Sequence, residues 1–133
     1  MKAGKVAVFG KGDTKRRWVG VDDVATLMVA LAVEADPPEV VEFGGPEALS
    51  RNEAIAIAQR LTGRTMTIQR VPRAVARIGL RLLDRPNDAL ASIFGAGLHQ
   101  DLVVADWDDS PFRVREITPR SATEWLEQQA KSV

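Results

Sequence analysis

Four arginines, Arg73, Arg77, Arg81 and Arg85, recur at every fourth position. On a helix that spacing stands them in one row, with Val75, Ile78, Leu82 and Leu83 largely on other faces. A guanidinium row beside apolar residues suits an anionic lipid headgroup, a nucleotide phosphate or an acidic partner. The plainer alternative is a solvated charged face, since Asp84 and Asp88 lie close by. No aromatic residues interleave with the arginines, which speaks against nucleic acid. Asp101, Asp106, Asp108 and Asp109 offer oxygens to a hard cation, but without EF-hand spacing or its glycine turn they read as loop acids. His99, after Gly95, Gly97 and Leu98, falls at an expected helix end, where a cation complements the dipole. It reads as structural.

Gly10-Lys11-Gly12 is the one candidate for a phosphate-cradling turn. Position 15 is Lys15 and not a third glycine, and a strand-like segment follows where a dinucleotide fingerprint needs a helix. A hairpin turn is the expectation. No Walker loop occurs. The chain has no cysteine, which removes disulfides, thiolate nucleophiles, zinc–thiolate sites and iron–sulfur clusters. It has no tyrosine and one histidine, so multi-histidine metal sites are excluded and Ser/His/Asp chemistry would have to run through His99. We assign no catalytic, cofactor-binding or metal-binding residue from these patterns.

The elements that would position these groups read as follows. Val6–Phe9 is strand-like and Arg17–Val21 pairs with it as a hairpin. Asp22 or Asp23 caps a helix running to Glu34, which Pro37-Pro38 stops. Val40–Phe43 reads as a strand ended by Gly44-Gly45-Pro46. Ser50 and Glu53 form a capping box for a helix with an apolar stripe (Ala54, Ile55, Ala58, Leu61) and a Gly63 C-cap. Met66–Gln69 alternates like a short strand. Pro72 opens a helix to about Leu83, and Pro86 separates it from another to about Leu98. Ser121 and Glu124 box the start of a last helix. Gly79 and Gly95-Ala96-Gly97 remove bulk inside helical patterns, for close packing or for room beside a pocket.

The 133 residues fit one domain, 45% hydrophobic and 27% charged, and 18 basic residues balance 18 acidic ones. No global field therefore favours nucleic acid. No apolar run approaches the ~20 residues of a membrane span, and no signal sequence is visible, so a cytosolic location is expected. One feature is unusual. From Val24 to Val33 every residue but Thr26 is apolar, and a helix apolar all round is normally enclosed by other layers. Either it is the central helix of a compact unit, or part of its covering lies outside this chain.

Lys15-Arg16-Arg17-Trp18-Val19-Gly20-Val21-Asp22-Asp23-Val24-Ala25, then Val41-Glu42-Phe43-Gly44-Gly45-Pro46-Glu47-Ala48-Leu49-Ser50, then Thr62-Gly63-Arg64 and Val71-Pro72-Arg73 follow one another. In that order they resemble the C-terminal half of an atypical or extended short-chain dehydrogenase/reductase, within the NAD(P)-dependent epimerase/dehydratase-like superfamily. The nearest branch is the NmrA-like and complex I accessory-subunit-like one. The resemblance spans about Gly4 to Leu126. It implies an α/β fold, a partial Rossmann-type substrate-binding lobe with few strands and flanking helices, in one domain over residues 1–133. It also implies that the Rossmann half, with the glycine-rich turn and the Tyr-x-x-x-Lys pair, precedes position 1. The chain would then be no complete reductase or epimerase, and NAD(P) would belong to the full-length protein.

By the same resemblance Arg16, with Trp18, Val19, Val21 and Asp23, matches a nucleotide-sugar epimerase pattern in which the arginine meets the substrate diphosphate, a role suited to its planar fork. Arg16 and Trp18 are therefore the candidate substrate-binding residues, and Asp23 a helix-start residue. The expected role is the substrate-binding part of an NAD(P)-dependent oxidoreductase, epimerase or redox sensor for a small molecule. The alternative is a stand-alone module whose basic helix (Arg73, Arg77, Arg81, Arg85) meets an anionic partner or a membrane surface. Self-association or a missing Rossmann half would cover the apolar helix.

Overall fold

The computed structural model describes residues 4–83, 88–104 and 106–131. Among them are four strands and six helices: β1 (Lys5–Phe9), β2 (Lys15–Arg17), α1 (Val21–Ala32), β3 (Ala48–Ser50), α2 (Arg51–Thr62), β4 (Thr67–Val71), α3 (Arg73–Leu83), α4 (Asp88–Leu102), α5 (Ser110–Arg113) and α6 (Ala122–Lys131). Two units divide the chain, residues 1–15 with 50–104 and residues 16–49 with 105–133.

In the first unit β1 and β4 pair in parallel, from Lys5 opposite Thr67 to Phe9 opposite Val71. Parallel strands need a crossover between them, and α2 lies between these two in sequence. The Ser50 hydroxyl accepts from Glu53 N at 3.2 Å while Ser50 N donates to Glu53 at 2.7 Å, and Gly63 ends α2 at φ 63°. This is the expected capping box and left-handed C-cap. Val8, Ile55, Ala76 and Ala91 are buried, and Phe9 meets Phe94 edge to face at 5.7 Å. The glycines of α3 and α4 serve close packing: a Cβ on Gly79 would press on the Phe94 ring, and one on Gly97 would overlap Phe9.

The expected hairpin does not form. β1 pairs with β4, and β2 pairs with β3. Distant groups hold the Gly10–Gly12 turn. Gly10 N extends the β1–β4 ladder to Val71 O at 2.9 Å, Asn52 N donates to Gly12 O at 3.2 Å, and the Thr14 hydroxyl donates to Asp101 O at 2.7 Å. Gly10 and Gly12 both have positive φ, and the Asp101 carboxylate occupies the space a Gly10 side chain would need. Asp101 is no loop acid: it is buried on α4, and Arg73 Nε donates to it at 2.5 Å. Helix α4 runs to Leu102, beyond the expected Leu98.

In the second unit Leu27, Leu49 and Phe112 are buried, and Phe43 packs edge to face on Phe112 at 5.5 Å. Helix α1 is capped by Gly20 backbone in extended conformation, with no side-chain cap. Asp23, expected as a cap, instead accepts from Arg120 N at 3.2 Å. Arg115 forks onto Glu34 at 2.6 and 3.2 Å. Ser121 and Glu124 form the second capping box, with bonds of 2.8 and 3.1 Å. The segment Val40–Phe43 is not a strand, because no described strand pairs with it. A β-rich sequence becomes a strand only when a second backbone accepts its hydrogen bonds.

Candidate functional site

The densest polar arrangement in the second unit surrounds the end of β2. Gly44 N donates to Asp108 O at 2.7 Å, and Gly45 N donates to Arg17 O at 3.2 Å. A side chain on Gly44 would overlap the Trp107 carbonyl, and one on Gly45 that of Trp18. Glycine is needed here because backbone lies directly on backbone. Arg17 Nη1 donates to the carbonyls of Gly45 at 3.4 Å and Pro46 at 3.0 Å, and Trp18 Nε1 donates to Leu49 O at 3.0 Å. Glu47 accepts from Thr123 N at 2.9 Å and from its hydroxyl at 2.8 Å. The Gly44–Glu47 loop is thereby fixed on three sides.

Charge around the loop is mixed. The Ser110 hydroxyl and backbone N–H both donate to Asp108. Those bonds, with Arg113 and Arg17 as weaker contributors, hold the Asp108 carboxyl below its ordinary range. Arg113 also pairs with Asp109 at 3.2 Å. Trp107 leaves half of its surface open. The Gly44 and Gly45 N–H groups, the Trp18 indole N–H and Arg17 Nη1 all donate to carbonyls within the unit, so the arrangement fixes the loop. It offers no group placed for proton transfer, and among the described residues no cluster of three or more His, Cys, Asp or Glu could hold a metal.

Of the residues singled out in the sequence, Arg16 lies half-buried in β2, and Trp18 is half-buried with its indole N–H bonded to Leu49 O. Arg17, between them, makes the visible contacts to the loop. Nothing in its immediate sequence marks it; the adjacent Gly44-Gly45 pair, which demands close backbone approach, was the available signal. In the first unit Arg73 is engaged with Asp101, while Arg77 and Arg81 are exposed on α3 with no ion pair among the described residues. Arg85 lies outside the described residues, as do Asp84 and Pro86.

The arrangement can be set against known structures. At 17% sequence identity and a TM-score of 0.70, 95% of this chain superposes on an NADPH-dependent quinone oxidoreductase from Escherichia coli. An isoflavone reductase matches 97% of it at 21% identity (TM-score 0.64), and the leucoanthocyanidin reductase–NADPH complex from Vitis vinifera 98% at 17% identity (TM-score 0.63). The fold is that of part of a Rossmann-type reductase. The chain spans 46%, 44% and 46% of those three proteins, in each case less than half, and what it matches is their C-terminal part. No family model matches the sequence, and no curated protein does. Among the described residues no helix is long and apolar enough to cross a membrane.

Proposed function

We propose that this chain is the substrate-binding portion of an NAD(P)-dependent, NmrA-like reductase or epimerase, whose cofactor is held by the portion of the fold it does not contain. The observation that carries the reading is the asymmetry of the match. Nearly all of this chain superposes on reductases, yet under half of each reductase is covered. Structures of this fold have NADPH or NAD in them, including a UDP-glucuronic acid 4-epimerase in complex with NAD. The loop Gly44–Glu47 with Arg16 and Trp18 is then the substrate side of the site, and Arg16 meets a substrate phosphate.

Two titrations test this. The isolated chain should not change nicotinamide fluorescence on mixing with NADPH or NADH; tight binding would overturn the division of labour. With the chain joined to a cofactor-binding portion, Arg16→Ala should weaken a UDP-sugar by ~1.5–3 kcal/mol, the worth of a charge-assisted bond. Equal calorimetric affinity for parent and variant removes Arg16 from the site.

A second reading is favoured by one observation on α3. Val75, Ile78 and Leu82 form an exposed apolar stripe beside Arg77 and Arg81, which make no ion pair among the described residues, the pattern of a helix that lies on an anionic surface. Here Arg77→Glu with Arg81→Glu should abolish cosedimentation with phosphatidylserine vesicles at low salt. No sedimentation of the parent would end this reading.

A further inference from the structure

The zero net charge of the chain conceals a division. Residues 1–15 with 50–104 hold 12 of the 18 lysines and arginines and 5 of the 18 acids, a net +7; residues 16–49 with 105–133 hold the other 6 and 13, a net −7. The signs run in blocks. From residue 18 to 50 there are seven acids and no lysine or arginine, and from 54 to 83 there are six arginines and no acid. All six, Arg60, Arg64, Arg70, Arg73, Arg77 and Arg81, are exposed, and among the described residues only Arg73 has an ion pair. They stand at the end of α2 and just after it, on β4 and along α3. The first unit is thus a source of positive potential that the whole-chain sum cancels.

We infer that an anionic membrane surface takes the first unit as a whole and fixes the chain in one orientation, with the acidic unit, which carries the Gly44–Glu47 loop, held off the lipid. This rests on the second reading above and extends it from one helix to a unit and an orientation. Two observations favour lipid headgroups over other anions. Each lysine or arginine near a charged bilayer contributes without a matched partner position, which suits guanidinium groups spread over three elements. A protein partner would need its acids in register with them. The arginines of α3 also stand beside exposed Val75, Ile78 and Leu82, and a bilayer interface receives charged and apolar side chains together. Nucleic acid would stack on exposed aromatics, yet the aromatics of this unit, Phe9 and Phe94, pack on each other. The second unit supplies the contrast. Helix α1 also bares apolar residues, Val21 at 83%, Met28 at 64% and Val29 at 67%, but its charges are Asp22 and Asp23, and no lysine or arginine occurs between residues 18 and 50. An apolar face in an acidic setting is repelled by the same lipid.

Tryptophan reports the orientation without modification. Trp18, Trp107 and Trp125 all belong to the acidic unit, and the basic unit has none. The chain is mixed at low salt with vesicles of phosphatidylserine and acyl-chain-brominated phosphatidylcholine, a short-range quencher. It should sediment with the vesicles while its tryptophan emission stays unquenched, and Ile78→Trp should add emission that is quenched on binding. Arg60→Glu with Arg64→Glu, outside α3, should weaken binding at least ~10-fold, because each basic residue near the surface contributes. Quenching of the native tryptophans, or none at Ile78→Trp, overturns the orientation and spares the second reading. Binding unchanged by Arg60→Glu with Arg64→Glu overturns the role of the whole unit and leaves α3 alone on the surface. No sedimentation of the parent ends both readings. Assembly at low salt without vesicles, abolished by the same arginine changes, would assign the basic unit to the acidic unit of a second copy and overturn the inference.

Discussion

The two units treat their apolar residues differently. In the first, β1 finds a parallel partner in β4, and glycines on α3 and α4 admit aromatic rings at close range. The buried Asp101 has its cation in Arg73. In the second, a small centre built on Leu27, Leu49 and Phe112 carries a helix with one face bare and a strand-like segment with no ladder. The first pairs its two strands with each other. In the second, Val40–Phe43 has no strand partner among the described residues, and there the sequence looks over-hydrophobic for its surroundings. Surface that is apolar without a covering layer points to an interaction.

Four measurements sharpen or break that contrast. Phe112→Ala should have the largest effect, a loss of about 3–5 kcal/mol in urea unfolding, because a ring that Phe43 meets edge to face leaves a cavity. A loss under ~1 kcal/mol would mean that the second unit has no organised core. Gly97→Ala in the first unit should cost about 1–3 kcal/mol, since the added methyl overlaps the Phe9 ring. An unchanged midpoint would show that α4 is free to move off β1. The third measurement is pH. Glu53 is held below its ordinary value by the Ser50 backbone and hydroxyl, with Lys15 a weaker contributor, and Asp108 by Ser110. Lowered folded-state values stabilise above the unfolded pKa and lose that contribution as pH falls through the folded one. Stability should therefore decline on acidification below the carboxylate range, and Glu53→Gln should flatten the decline; an identical profile would remove the capping box from the pH response. The smallest effect belongs to Val29→Lys, within about 0.5 kcal/mol, because the side chain already faces water. A large loss would mean that the α1 face is covered after all.

Local signals were legible in the sequence and partner choice was not. Ser50 with Glu53, Ser121 with Glu124, and Gly63 each act within a few residues, so their geometry follows from their spacing. The Gly10–Gly12 turn was legible as a turn. Its destination was not, because Asp101, 87 residues from Thr14 in sequence, decides where the chain leaves β1. Val40–Phe43 has strand composition, yet a strand is a property of two backbones, and among the described residues no second one pairs with it. At the site the resemblance led to Arg16 and Trp18; Arg17, which it did not single out, donates to the Gly45 and Pro46 carbonyls. Side chains alternate along a strand, and nothing in the sequence of β2 says which of its sides meets the loop.

The order in which the units are visited has a consequence for synthesis. Each is assembled from two separated stretches, and the second depends on bonds such as Arg120 N to Asp23, 97 residues apart. Bringing such distant residues together is slow, since chain entropy is lost before contacts compensate it. As the chain leaves the ribosome, the first unit has all its segments once residue 104 is out. The second must wait for α6. Through that interval α1 lacks the bond from Arg120 N to Asp23 while Val21, Met28 and Val29 stand in water, so a holdase or trigger-type chaperone has its longest opportunity at α1.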